Sequence, residues 1–309
     1  MKPTRLLLAL LLLSGCGALQ NDVNVVLPTY DNQLVVECYL ESGRVPRLTV
    51  TESVPYLANG QAVSGGSQAF VLPNGQPIQL PTDVTVTLTL PGGRALPLVF
   101  QPGIVLENGS TVPLSQLDRL NRDSVAFKIF THTAQAQDVL TLQPGQTFTL
   151  EARDQRGRRV TGATSVPARV PLDSVALRYN TLPPPDRKAL QLAYWQDVPG
   201  TDFYRRMIQR QRRGILRQAS NDNDVEDRIL NGTRQFVVGT SYRFDPGDTL
   251  QVTLFHLDSA FYSFRTSTRE ARQANGNPFG QPSSIRSTVK GGIGVFTALS
   301  YDRKRIIVK

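Results

Sequence analysis

A chain of 309 residues with 40% apolar and only 19% charged residues can bury the cores of two ordinary domains, and its 24 Gly and 21 Pro point to strands and turns. Two cysteines exclude a disulfide framework and a Cys-rich metal site, and the apolar content excludes a chain that stays disordered. The net charge of +9 supports solubility and nonspecific attraction to anions, and no nucleic-acid partner is expected from it.

The first element is a leader. "MKPTRLLLALLLLSGC" opens with Lys2 and Arg5, continues through the apolar residues 6–13, and ends in small residues before Cys16. The apolar run is too short to cross a bilayer, which takes about 20 residues. Leu13-Ser14-Gly15-Cys16 resembles the bacterial lipobox in all four positions. That resemblance implies cleavage before Cys16, lipidation of its sulfur and acylation, palmitate included, of the new amino group. Each buried methylene then adds about 0.8 kcal/mol of membrane affinity. Residues 1–15 are read as a signal peptide and 16–32 as a lipidated tether.

From Gln33 the pattern is β. "LVVECYLE", "PRLTVTESV", "VTVTLTL" (84–90), "LPLVF" (96–100), "SVAFKIF" (124–130), "TFTLEARD" (147–154) and "RRVTGATSV" (158–166) are short strands with turn signals between most of them. With no alternation of strands and helices, they predict a β-sandwich over 33–170. Cys38 is expected to be a small buried hydrophobe on the first strand. Pro167, Pro171 and the triplet Pro183, Pro184 and Pro185 bracket a boundary. Residues 171–309 are expected to form a second sandwich-like domain, of immunoglobulin or fibronectin type, with one inserted helix. Trp195 should plug its core. The helix is placed near 258–274, with Asp258 or Ser259 as N-cap and Phe261, Tyr262 and Phe264 near its start.

The search for chemistry returns little. His132 and His256, the only two histidines, lack ligand spacing and flank apolar strand residues, so both are expected to be structural. There is no nucleophile elbow, P-loop or dinucleotide fingerprint, so no cofactor and no enzymatic activity are expected. Asp222, Asp224 and Glu226 alternate like the early oxygens of a calcium loop and are the one weak metal candidate. The sixth position is not glycine and the twelfth, Thr233, is not glutamate, so a solvated loop is the favoured reading. Arg210, Arg212 and Arg213 belong to the densest basic run and are the candidate anion-binding residues, with solvent-facing arginines on a long hairpin the favoured alternative. Asp123-Ser124-Val125, Asp173-Ser174-Val175, Asp248-Thr249-Leu250 and Asp258-Ser259-Ala260 resemble sites at which Bacteroidota O-glycosylate exported proteins.

Near the C-terminus "NPFGQPSSIRSTVKGGIGVF" (277–296) offers backbone geometry and few reactive side chains. Asn277 and Pro278 should turn the chain out of the helix, Phe279 should plug between turns, and Gly291, Gly292 and Gly294 should let the backbone bend or approach a neighbour.

Lipobox, "LVVECYLESG", "PGQTFTLEARDQRGRRVTGATSVP", "YWQDVPGTDFYRRMI" and this C-terminal motif form a series. Through it the chain resembles the domain-of-unknown-function family 4249, lipoproteins of the Bacteroidota without assigned activity. The most specific pieces are Asp197, Pro199, Gly200 and Tyr204, and the C-terminal glycine motif. Members are often encoded beside TonB-dependent outer-membrane transporters. The resemblance implies an outer-membrane protein held by its N-terminal lipid, acting as a non-enzymatic accessory or ligand-capture partner of such a transporter. The membrane face is left open. Two alternatives stand beside it. One is an envelope hydrolase of glycan or peptide, which needs two convergent carboxylates in a cleft. The other is an adhesin-like module binding anionic envelope polymers through its arginines.

Overall fold

Alternation of apolar and polar residues starts the sheet. In β1 (Leu34–Glu41) residues Leu34, Val36, Cys38 and Leu40 are buried while Glu37 faces out, and β2 (Arg47–Glu52) returns antiparallel with Val50 opposite Val36. The computed structural model describes residues 31–53, 67–71, 77–106, 110–119, 127–199, 202–212, 215–227, 235–274 and 284–309. The leader and Cys16, Arg213, Asn277, Pro278 and Phe279 lie outside the described residues, as do the side chains of Arg212 and Asp222.

Asn32–Lys309 forms one compact unit, mainly β with one α-helix among the described residues. A ribbon of β3 (Ser67–Val71) and β4 (Pro77–Pro81) is followed by β5 (Thr85–Thr89), β6 (Ala95–Leu106), β7 (Thr111–Pro113), a short 3-10 turn at Leu114–Arg119, and β8 (Phe127–Thr133). Then come β9 (Thr147–Arg153), β10 (Arg159–Ser165), β11 (Leu172–Tyr179), β12 (Ala189–Trp195), β13 (Phe203–Arg212), β14 (Ile215–Glu226), β15 (Phe236–Gly239) and β16 (Thr249–Leu257). Helix α1 (Ser259–Ala274), the two-residue β17 (Val289–Lys290) and β18 (Ile293–Ile307) end the chain. The main sheet path runs β14-β13-β16-β18-β1-β2-β8-β6-β5-β9-β10-β17, and a second sheet runs β11-β12-β15.

Strand β18 joins the two halves of the sequence. Its first half pairs parallel with β1, Gly294 opposite Val36, and its second half pairs antiparallel with β16, Thr249 opposite Ile307. Phe296 and Ala298 therefore enter one core with Val36, Val50, Val86, Leu150 and Val160, while Val308 closes another with Trp195, Tyr204, Phe236 and Leu250. A third cluster covers the far side of β16, where Phe255 and Leu257 pack with Phe261 of α1 and Val295.

The helix starts as the sequence suggests. Asp258 caps it, its Oδ1 accepting from the Phe261 N–H at 2.7 Å, and its Oδ2 accepting from the Thr297 hydroxyl at 3.0 Å ties the cap to β18. Cys38 is buried with its thiol pushed up to about 12 by desolvation, so it packs as a hydrophobe. No helix among the described residues is long and apolar enough to cross a membrane.

His132 is structural. Its Nε2 lies 3.0 Å from the Val84 carbonyl and its Nδ1 2.8 Å from the Thr131 hydroxyl, contacts that the neutral ring satisfies. Burial pulls its pKa from 6.5 to about 4, against the opposing pull of the Val84 bond. The unfolded chain thus binds the proton first as pH falls from 6.5 towards 4, and folding stability drops over that window by up to about 3 kcal/mol. Denaturant melts at half-unit pH steps should show this slope in the parent and a flatter one in His132→Gln.

Candidate functional site

The site is assembled where β12 hands the chain to β13. Trp195 ends β12 fully buried, stacked on Phe236 at 5.2 Å and 8°, with Tyr204 tilted against it at 5.6 Å. The core-plug expectation for Trp195 holds. Beyond it the Asp197-x-Pro199 segment leaves the sheet, and Asp202 brings the chain back at the foot of β13. Tyr204 points inward, and its hydroxyl donates to Asp197 Oδ1 at 3.2 Å while accepting from the Val198 N–H at 3.4 Å. Burial pushes this phenol above its ordinary range; the Val198 N–H pulls it down, and the charges of Asp202 and Asp197 push it further up. It keeps its proton and acts as a donor.

Two further elements converge on Asp202. Asp227 follows β14 directly, and the two aspartates clasp each other: Asp202 N–H donates to Asp227 Oδ1 at 2.8 Å, and Asp227 N–H to the Asp202 carbonyl at 3.2 Å. His256 stands opposite Tyr204 in the β13–β16 register, its ring stacked on the phenol at 5.5 Å. Its Nε2 lies 2.8 Å from Asp202 Oδ1 and its Nδ1 2.8 Å from the Ala168 carbonyl. Each ring nitrogen thus lies within hydrogen-bond reach of one oxygen, which fixes the plane of the ring. Asp197, Asp202 and Asp227 each present a carboxylate oxygen, and these atoms all lie within 4.8 Å of one another. Asp227 is fully buried, and the Oδ2 atoms of Asp202 and Asp227 have no hydrogen-bond partner among the described residues.

The sequence-based candidates fall elsewhere. The acidic stretch read as a loop is the second arm of the β13–β14 hairpin, because cross-strand pairing from Phe203↔Glu226 onward claims its backbone. There Asp224 is engaged by α1, with Arg265 Nε at 3.0 Å and Arg269 Nη2 at 2.6 Å, and Glu226 lies 3.5 Å from the Tyr262 hydroxyl. The solvent-facing reading of the arginines is corrected at Arg206. Period-2 alternation turns Tyr204, Arg206 and Ile208 inward, and Arg206 is fully buried. Its Nη1 donates to the Val238 carbonyl at 2.9 Å, while Nε and Nη2 have no partner among the described residues. Burial lowers its pKa to about 10, which leaves it charged at neutral pH. Arg205, facing the other way, lies over the Phe255 ring at 5.2 Å. Arg210 Nη1 lies 3.5 Å from Oδ2 of the buried Asp248. Of the glycosylation sequences, Ser174 is exposed, Thr249 lies in a strand and Asp258 is the helix cap.

Gly291 and Gly294 stand where β17 leaves β10 and β18 joins β1. Both have positive φ, 81° and 135°, and a Cβ on either would overlap a neighbouring strand's carbonyl oxygen, of Arg159 and Val36 respectively. The structural reading of this motif therefore has a steric basis. Asp202 and Asp227 were not marked by sequence reasoning, which read His256 as structural, and its contacts with the Ala168 carbonyl and Asp202 are of that kind. Only Asp197 and Tyr204 carried a signal, through the Asp-x-Pro-Gly motif.

Fold and site together define a mainly β protein whose second core is bordered by a cluster of convergent carboxylates. More particularly, the chain belongs to the family described as domain of unknown function (DUF4249), whose model matches residues 20–305. Comparison with curated proteins finds no match.

Proposed function

We propose that the protein is a lipid-anchored lipoprotein of the bacterial outer membrane, built of two sandwich-like modules that share β18, and that it serves as a non-enzymatic accessory or ligand-capture partner of a TonB-dependent transporter. The observation that carries the reading is Leu13-Ser14-Gly15-Cys16 at the end of a short apolar leader. Membership of the family supports it.

The hydrolase alternative gains no support from the carboxylates. A hydrolytic pair must face its substrate across a cleft, and Asp227 is fully buried. The adhesin alternative loses Arg210 to the buried Asp248.

Purification from native membranes at native expression tests the proposal. A transporter should co-purify in detergent, and the intact mass should equal the chain from Cys16 plus its acyl groups. A protein recovered alone, or one with unmodified Cys16, would overturn the corresponding half of the reading.

A further inference from the structure

Three carboxylates that converge at the edge of an apolar core repel one another unless something positive lies between them. His256 answers for one oxygen only. It holds Asp202 Oδ1 from the side of β16, and Asp202 Oδ2 is buried without a partner among the described residues. Asp227 likewise uses one oxygen, Oδ1, on the Asp202 N–H, and its Oδ2 is buried without a donor among the described residues. A fully buried carboxylate with an unpartnered oxygen is costly, because it has given up water and received nothing back. Neighbouring Asp224 shows the alternative outcome, two arginines on one carboxylate.

We propose that Asp197, Asp202 and Asp227 bind one divalent cation, Ca²⁺ in preference to Mg²⁺. One oxygen of each residue lies within 4.8 Å of the others, and ligands on a single Ca²⁺, each at about 2.4 Å, fall within that limit. The unpartnered Asp202 Oδ2 and Asp227 Oδ2 would supply two ligands and a carboxylate oxygen of Asp197 the third. Asp197 and Asp202 are partly exposed, so the ion enters from their side and keeps water there. Ca²⁺ tolerates irregular sets of six to eight oxygens, whereas Mg²⁺ demands an octahedron and gives up its water reluctantly, which disfavours it beside the buried Asp227. His256 acts as a positioning residue: bonded to the Ala168 carbonyl and to Asp202, it fixes which oxygen of Asp202 faces the ion. The bound ion clips three segments together: the exit of β12, the foot of β13 and the end of β14.

The test uses the full chain stripped with chelator. Trp195, the only tryptophan, and Tyr204 lie beside the site and should sensitise Tb³⁺ emission, which Ca²⁺ then displaces. Calorimetry should give one Ca²⁺ per chain, with Mg²⁺ at least about tenfold weaker, and Tm should rise by about 5 °C at hundredfold excess over Kd. Asp227→Asn and, separately, the less buried Asp197→Asn should each lower affinity at least about tenfold. In chelator both variants should melt at or above the parent, since each removes a repelling charge. A structural role alone would instead lower Tm with and without Ca²⁺. Absence of sensitised emission together with equal Tm in Ca²⁺ and chelator overturns the proposal. So does a Ca²⁺ response that Asp197→Asn leaves intact, and that variant decides the matter should Asp227→Asn fail to fold.

Discussion

Gly294→Ala is expected to cost about 4 kcal/mol or more, from the sum of backbone strain and overpacking, and so to remove most of the cooperative fold. Its φ of 135° belongs to a region that side-chain-bearing residues rarely occupy. A Cβ there would overlap the Val36 carbonyl oxygen and stand 2.8 Å from the carbonyl carbon and 2.9 Å from the nitrogen of Val36. All three atoms are backbone of β1, so no rotamer change relieves them. The parallel pairing of β1 with β18 would have to part at Val36↔Gly294, in the centre of the sheet path. Neighbouring bonds resist that parting: Gly294 N–H donates to the Ser287 hydroxyl at 3.0 Å, and the Thr288 N–H donates to the Gly294 carbonyl at 3.0 Å. Gly92 is the control, because its φ of 84° is also positive but a Cβ there meets nothing within 4 Å. Thermal melts should place Gly92→Ala within a few degrees of the parent, and Gly294→Ala about 10 °C lower or insoluble. Equal losses in the two variants would show that strain, and not the strand contact, governs this site.

Arg158→Met should cost about 3 kcal/mol at neutral pH, because it strands buried carboxylates. Arg158 bonds Glu52 at the end of β2, places its Nε 2.6 Å from Asp154 Oδ2, and donates from Nη1 to the Asn32 carbonyl at 2.8 Å. The side chains of Glu52 and Asp154 are fully buried. Arg156 also reaches both acids, which keeps the loss at the lower end for a broken buried pair. The pH dependence has a defined sign. Burial raises the Asp154 carboxyl, but the bonds and charge of Arg158 outweigh it and hold the group below its ordinary 3.8. A depressed carboxyl contributes stability above its unfolded pKa and loses it as pH falls through the folded one. Denaturant melts should therefore show the gap between parent and Arg158→Met at pH 7 and its narrowing below pH 4. A gap that stays constant to pH 3 would mean that packing of the Arg158 stem, and not its charge, is what was lost.

The carboxylate cluster was only half legible in the sequence. Asp197 and Tyr204 stand seven positions apart in a recognisable motif, and their side chains bond to each other. Asp227 reaches Asp202 only because β13 and β14 pair Phe203 with Glu226 across a register shift between Met207 and Gln209. His256 reaches it only because β16 sets that residue opposite Tyr204. One residue of slip in either pairing would turn these side chains to the opposite face. The inward turn of Arg206 shows the converse: a run of arginines reads as solvent-facing by charge, yet strict alternation on a paired strand sends every second side chain into the core.

What the sequence determined by itself was local and periodic: most strands of the first half, the helix that starts after Asp258, the buried roles of Cys38 and Trp195, and family membership. Each depends on residues a few positions apart, where propensity and alternation act directly. What only the tertiary structure decided was which strands meet. The final strand pairs with the first by parallel contact and with β16 by antiparallel contact, so residues some 260 positions from Val36 complete its sheet. Contacts of that range leave no period in the sequence, and the glycines that permit them become readable as close approaches only once the neighbouring backbone is in place.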